Sequence, residues 1–199
     1  MLVVPELQIE EVLRNGFAKL EKQITMLDEL LSAYPKKMRD EAKKYLVGHN
    51  ISIVQGFPKG GFTLPIIAIV DGGDREADDK DTLNDFLMNW EVEEGDREEL
   101  ELYGIARQAN YQLLCQSSDP RLTLYMKLFV DTLIILNRPV LEAHGMMNII
   151  TSSSDLSFEA NLLPEWVGAK MVTLSCLHYH AVQVSSELLT QLVVTVTVD

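Results

Sequence analysis

Cysteine is scarce in this chain, with two in 199 residues, Cys115 and Cys176, each in strand-like apolar surroundings and neither in a CxxC spacing. Buried free thiols in a reducing compartment are expected, rather than a disulfide framework. Positive charge is also in short supply. Seventeen Lys and Arg stand against thirty Asp and Glu, a net charge of −13. Phosphate contacts need clustered Lys and Arg, so nucleic acid is excluded as a surface-bound partner. The densest basic cluster, Lys36, Lys37, Arg39, Lys43 and Lys44, is interleaved with Asp40 and Glu41 and reads as a solvated helix face. No window approaches the roughly 20 apolar residues of a membrane helix. The start, Met1 to Pro5, has neither a charged n-region nor an adequate apolar h-region, so it is not read as a signal peptide. These shortages lead to the expectation of a soluble, intracellular protein with no membrane partner.

What remains is ordinary globular material with one anomaly. Hydrophobic residues make up 47% and charged residues 24%, enough for a single α+β domain over 1–199 with a proper core. The anomaly lies between Asp71 and Glu101, where fourteen acidic residues meet only Arg75, Lys80 and Arg97, a net −11 of the chain's −13. Such a block cannot collapse on itself and repels polyanions. It is expected to be a solvated loop excursion over 71–101. Asp74, Glu76, Asp78, Asp79, Asp81, Glu93, Glu94 and Asp96 are the candidate residues facing a lumen or solvent.

Periodicity gives the elements. Leu7, Ile9, Val12, Leu13, Phe17, Leu20, Ile24, Leu27 and Leu31 recur at helical steps from Pro5, a first-turn proline, to a stop at Pro35. A short helix over about 37–47 ends at Gly48. Ile51–Val54 and the continuous apolar run Thr63–Val70 read as strands, the second broken by Asp71-Gly72-Gly73-Asp74. Leu102–Gln116 alternates, with Tyr103, Ile105, Tyr111, Leu113 and Cys115 on one parity and Gln108, Asn110 and Gln112 on the other. One of its faces is expected to pack on a helix and the other to meet solvent or a partner. Asp119-Pro120 is a cap followed by a first-turn proline, opening a helix to Ala143 that Gly145 closes. Its stripe Leu122, Met126, Phe129, Leu133, Leu136 and Val140 leaves Leu124, Leu128, Ile135 and Leu141 outside. A helix apolar on several sides is covered on both flanks.

Met147–Thr151 reads as a strand, Ser152–Asp155 as a turn and Lys170–Val182 as a long strand. After residue 185 comes an extension ending in a β-prone tail, where Val194, Val196 and Val198 alternate with Thr195 and Thr197. Unpaired, such a tail is an aggregation liability. It is expected to join its own sheet or a neighbour's edge. The plan is α+β: a mainly antiparallel sheet with two long helices packed on one face, the acidic loop excursion and an extended C-terminal strand.

Catalytic chemistry finds little support. His178 and His180 share a strand parity and could meet one metal, but no spacing selects a third ligand from His49, His144 or a carboxylate. Two polar side chains on the solvent face of a half-buried strand are the simpler account. The acidic run lacks the central Gly and terminal Glu of a calcium loop. Gly56–Gly61 lacks the Gly-Lys-Ser/Thr ending of a phosphate loop, no Gly-x-Ser-x-Gly occurs, and Cys176 beside His178 has no orienting third group. Neither an enzyme nor a bound cofactor or metal is expected.

With the elements in order, the chain resembles a tailed-bacteriophage neck protein of the tail-terminator or tail-completion type. The resemblance is carried by the opening amphipathic helix, the pair Ile51–Val54 and Thr63–Val70, and the charged excursion before the next strand. The Asp119-Pro120 helix and the closing segments Leu162–Val167 and Val172–Cys176 complete it. It implies a structural virion protein, made in the host cytoplasm, that forms a homohexameric ring at the head–tail junction. Such a ring terminates the tail tube, meets tube or sheath and the neck or connector proteins, and passes DNA without binding it specifically. Leu124, Leu128, Ile135, Val194, Val196 and Val198 are then the candidate subunit interface. Two alternatives stand beside it: a cytosolic adaptor binding a basic partner through the acidic stretch, and a small metal-dependent α+β enzyme built on His178 and His180.

Overall fold

A computed structural model of the chain describes residues 4–57, 63–77, 100–155 and 167–185. Proline opens both long helices. Pro5 starts α1 (Pro5–Lys22), and Pro120 starts α4 (Pro120–Ala143), where the Asp119 carboxylate accepts from the Arg121 N–H at 2.8 Å. Between them lie α2 (Met26–Leu30), α3 (Lys36–Gly48), β1 (Ser52–Gln55), β2 (Ile66–Glu76) and β3 (Leu100–Ser117). β4 (Met147–Asp155) and β5 (Gly168–Ser185) follow α4. The fold is α+β with a mixed five-stranded sheet in the order β1-β2-β3-β5-β4. β1 runs parallel to β2, and the remaining neighbours are antiparallel.

Alternation along the strands sorts the side chains. Ile67 and Ile69 of β2, Ala109, Tyr111, Leu113 and Cys115 of β3, and Val172, Leu174 and Cys176 of β5 are buried in one cluster with α1 and α4. Phe17 and Phe129 meet edge to face within it, ring centroids 6.1 Å apart at 87°. The two helices approach so closely that a Cβ on Gly16 would sit 2.5 Å from Leu133 Cδ2. The opposite parity, Ala68, Val70 and Leu114, forms a second buried cluster with Val54 and Met171 against it. The unbroken apolar run entering β2 thus belongs to a strand buried on both faces. The second face of β3, expected to meet solvent or a partner, is buried at Leu114 and Gln116.

Four expectations change. The first helix does not run to Pro35: it stops at Lys22, and α2 follows separately, held to α3 by Lys43 Nζ donating to Asp28 Oδ2 at 2.5 Å. The glycine pair does not end β2. It makes a bulge between Asp71 and Asp74, in which Gly73 has φ +97 and donates its N–H to Asp71 Oδ1 at 2.7 Å. A side chain at Gly72 would place its Cβ 2.9 Å from the Asn110 carbonyl oxygen. Ser152–Asp155 is strand, paired with Met171 to Thr173 and Lys170 of β5, because the ladder supplies the hydrogen bonds a turn would otherwise make locally. In α4 the buried rows advance by four residues, Phe129 to Leu133 and on to Leu141, so Leu136 and Val140 emerge while Leu141 is sealed. The segment Leu162–Trp166 and the 186–199 extension lie outside the described residues.

Phe129→Ala is expected to cost about 3–5 kcal/mol in urea unfolding, and Ile135→Ala less than about 0.5 kcal/mol. Phe129 is buried in contact with Phe17, whereas Ile135 is 63% exposed.

Candidate functional site

The acidic block enters and leaves the fold through strands. Its first residues, Asp71 to Glu76, belong to β2, and Leu100 and Glu101 begin β3, so the excursion between strands is shorter than 71–101. Asp74 and Glu76 are therefore ladder residues opposite Ala109 and Arg107, rather than loop residues. Asp78, Asp79, Asp81, Glu93, Glu94 and Asp96 lie outside the described residues.

Where the strands leave the helix-packed core, charged groups replace apolar ones on the same face. Arg107 Nη1 donates to Asp74 Oδ2 at 2.8 Å, and His178 is the cross-strand neighbour of Arg107. The guanidinium hydrogen bond holds the Asp74 carboxyl below the ordinary carboxylate range. Glu6, in the first turn of α1, is pushed the other way by burial and by the negative charge of Asp71. Tyr111 beneath them has its phenol pushed far up, chiefly by burial. On the opposite face, Arg75 donates through Nε and Nη2 to Gln108 Oε1 at 3.1 and 2.8 Å, and Ser175 donates to Asn110 Oδ1 at 2.6 Å. At this end of the sheet Arg107 pairs with the Asp74 carboxylate on one face, while Arg75 is bonded to Gln108 on the other and Asp71 accepts from the Gly73 N–H.

The histidine pair separates. His178 is buried, 7% exposed, on the core-facing parity, and His180 is exposed, so the expectation of two solvent-facing imidazoles fails at His178. The reason is that β5 turns Val172, Leu174 and Cys176 inward, and a period of two carries residue 178 to the same face. Burial lowers the His178 pKa below its usual value, and among the described residues its Nδ1 has no hydrogen-bond partner, as is true of Arg107 Nε. His49 Nδ1 instead lies 3.0 Å from the Tyr45 carbonyl on α3, and His144 caps α4, 2.7 Å from the Val140 carbonyl. Among the described residues no three His, Cys, Asp or Glu side chains converge as a metal would require. Cys176, on the same face as His178, has its thiol raised to about 11 by burial, which suppresses the thiolate. Both cysteines are buried and free, as the sequence leads one to expect.

Of the candidate interface residues, Leu124 and Ile135 are exposed on α4 and Leu128 is half-buried. Val194, Val196 and Val198 lie outside the described residues. Sequence reading missed the Asp74–Arg107–His178 group. The alternation that aligns Arg107 with Tyr111 and Leu113 signals it for β3, but its partner comes from a strand thought to have ended.

The unfolded chain protonates His178 near 6.5, and the folded chain only at lower pH, because charging it there opposes burial beside Arg107 and His180 more than Asp74 assists it. Its contribution to stability is thus fully present above pH 6.5 and lost as pH falls through that value toward the folded titration. The urea midpoint of the wild-type chain is expected to drop between about pH 7.5 and about pH 5.5, and that of His178→Gln to drop less. Equal losses in the two proteins would remove His178 as the cause.

No protein-family model matches the chain, and a search of curated proteins finds no significant match.

Proposed function

We propose that this chain is a ring-forming subunit of a tailed-phage neck, a structural virion protein that terminates the tail tube and joins it to the head–tail connector. One observation carries the reading. The β3–β5 ladder is paired continuously from Leu100–Ser185 to Ser117–Gly168, while its residues in the helix-packed core span only Ala109–Cys115 and Val172–Cys176. The chain therefore builds a rigid support and attaches to it the segment with nearly all of its negative charge. In a ring threaded by DNA, an acidic lining keeps the polyanion from adhering. The mainly antiparallel sheet, with both long helices taken to lie on one face, leaves α4 for contacts between subunits.

In this reading Leu124, Leu128 and Ile135 meet a neighbour through a heterologous contact, which closes into a ring. Val194, Val196 and Val198 add a strand to a neighbour's sheet edge. The acid-rich stretch from Asp74 through Glu76, Asp78, Asp79, Asp81, Glu93, Glu94 and Asp96 lines the lumen. No reaction is catalysed and no cofactor is held.

Light-scattering mass over a concentration series, with negative-stain images with and without isolated tail tubes, tests this. A closed ring of about six copies, free or seated on the tube end, is the expected result. Failure to form a ring in either setting, combined with salt-sensitive binding to a basic protein, would replace the ring with an adaptor.

A further inference from the structure

We propose that the α1–α4 face around the groove between these helices is a self-association surface that meets the same face of a second copy, related by a two-fold axis. The groove has a volume of about 390 Å³, with Val12 and Leu20 of α1 on one wall and Leu136 and Val140 of α4 on the other. Apolar exposure concentrates on the α4 side: Leu136 is 53% exposed, Val140 46%, and Ile135 beside them 63%. Pro139 lies within this patch and is itself exposed. Having no N–H, it leaves the Ile135 carbonyl without its helical donor. The patch thus offers apolar area beside a carbonyl that lacks its usual i+4 partner.

The rim charges select the occupant. Glu11 and Lys19 both line the groove from α1, with Asn15 midway between them on the same row. They stand about 12 Å apart along the helix. Among the described residues neither has an ion-pair partner. A groove with an anion toward one end and a cation toward the other is complementary to itself when reversed. A two-fold axis in the contact plane, crossing α1 near Asn15, sets Glu11 of each copy against Lys19 of the other and apposes the two α4 patches. A uniformly basic or uniformly acidic partner would be repelled at one end, which is why a second copy is the better fit. The contact is isologous and closes at two copies. It goes beyond the ring reading: it uses neither Leu124 nor Leu128 and shares Ile135 alone with the proposed ring contact.

The test is sedimentation or light-scattering mass of the full chain and of Glu11→Lys, Lys19→Glu and the double variant, all at exposed positions that spare the core. A concentration-dependent dimer is expected in the wild type. Each single swap should weaken it about tenfold by facing like charges, and the double swap should restore it. Leu136→Ser should weaken it in either charge background. A wild type monomeric at every concentration, or a double variant as weak as the singles, overturns the proposal. A ring of about six copies insensitive to these swaps would sink the groove contact and leave the ring reading standing. A swap-sensitive dimer that never forms rings would do the reverse.

Discussion

Continuous pairing of β3 with β5 fixes nearly everything else in this molecule. Its register sets Ala109 opposite Cys176, Tyr111 opposite Leu174 and Leu113 opposite Val172, so a single alternation decides which side chains face the helices. A slip of one residue would turn that whole set outward and bring the polar set Gln108, Asn110 and Gln112 into its place. The same ladder holds the N-terminal end of α4, since β3 leads into it at Ser117 and Gly168 of β5 lies against Pro120 and Thr123. Thr123 Oγ1 donates at 3.1 Å to the Asp119 carbonyl and reaches the Gly168 carbonyl at 3.4 Å. Helix placement, core composition and the position of the charged end are consequences of one pairing.

Charge in this protein is segregated along that ladder. Toward Ser117 and Gly168 the helix-facing side is apolar, and beyond Ala109 it becomes Asp74, Arg107 and His178. The change is gradual in chemistry: Tyr111 and Cys176 are buried and held neutral at the boundary, where Asp71 is already the cross-strand neighbour of Tyr111. Burial opposes ionisation in the interior, so each ionised side chain near the boundary needs a counterion or solvent. Arg107 provides one for Asp74. Glu6 is instead partly buried beside the negative charge of Asp71, and its proton is held more tightly as a result.

Local signals in the sequence were reliable where a residue can act in only one way. Proline at the first helical turn and an Asp cap before it locate α4 from Pro120 to Ala143, and the alternation about Tyr111 identifies the core face of β3. They misled where two chemistries share one residue type. Asp71-Gly72-Gly73-Asp74 has turn composition, yet the glycines serve a bulge in which one needs positive φ and the other space beside the Asn110 carbonyl. Ser152 to Asp155 also suits a turn, and only a partner strand far along the chain, with Lys170 paired to Asp155, makes it extended. His178 was read as solvent-facing because nothing local distinguishes it from His180. Its burial is decided by the register of β5 against β3. Non-local hydrogen bonding is thus what the residues alone could not disclose.

How the sheet's edges are protected bears on how copies can meet. Among the described residues, β1 and β4 are the outer strands. On β1, Arg14 reaches from α1 to donate through Nη2 to the Ile53 carbonyl at 2.6 Å, and Gln55 donates to Glu10 at 2.6 Å. A guanidinium seated on this carbonyl obstructs an incoming strand, so β1 is blunted as a template. β4 carries a different safeguard: Asn148 at φ +50 sits within the register shift between Met147 and Ile150, which interrupts regular pairing there. From Ile150 to Asp155 the ladder to β5 is regular, with Ile150 65% exposed and the serines beyond it polar. The proposed strand addition by a neighbour would have this second half of β4 as its template. Apolar association through the α1–α4 groove needs no sheet edge at all. The two proposed modes draw on different residues, so neither contact would exclude the other.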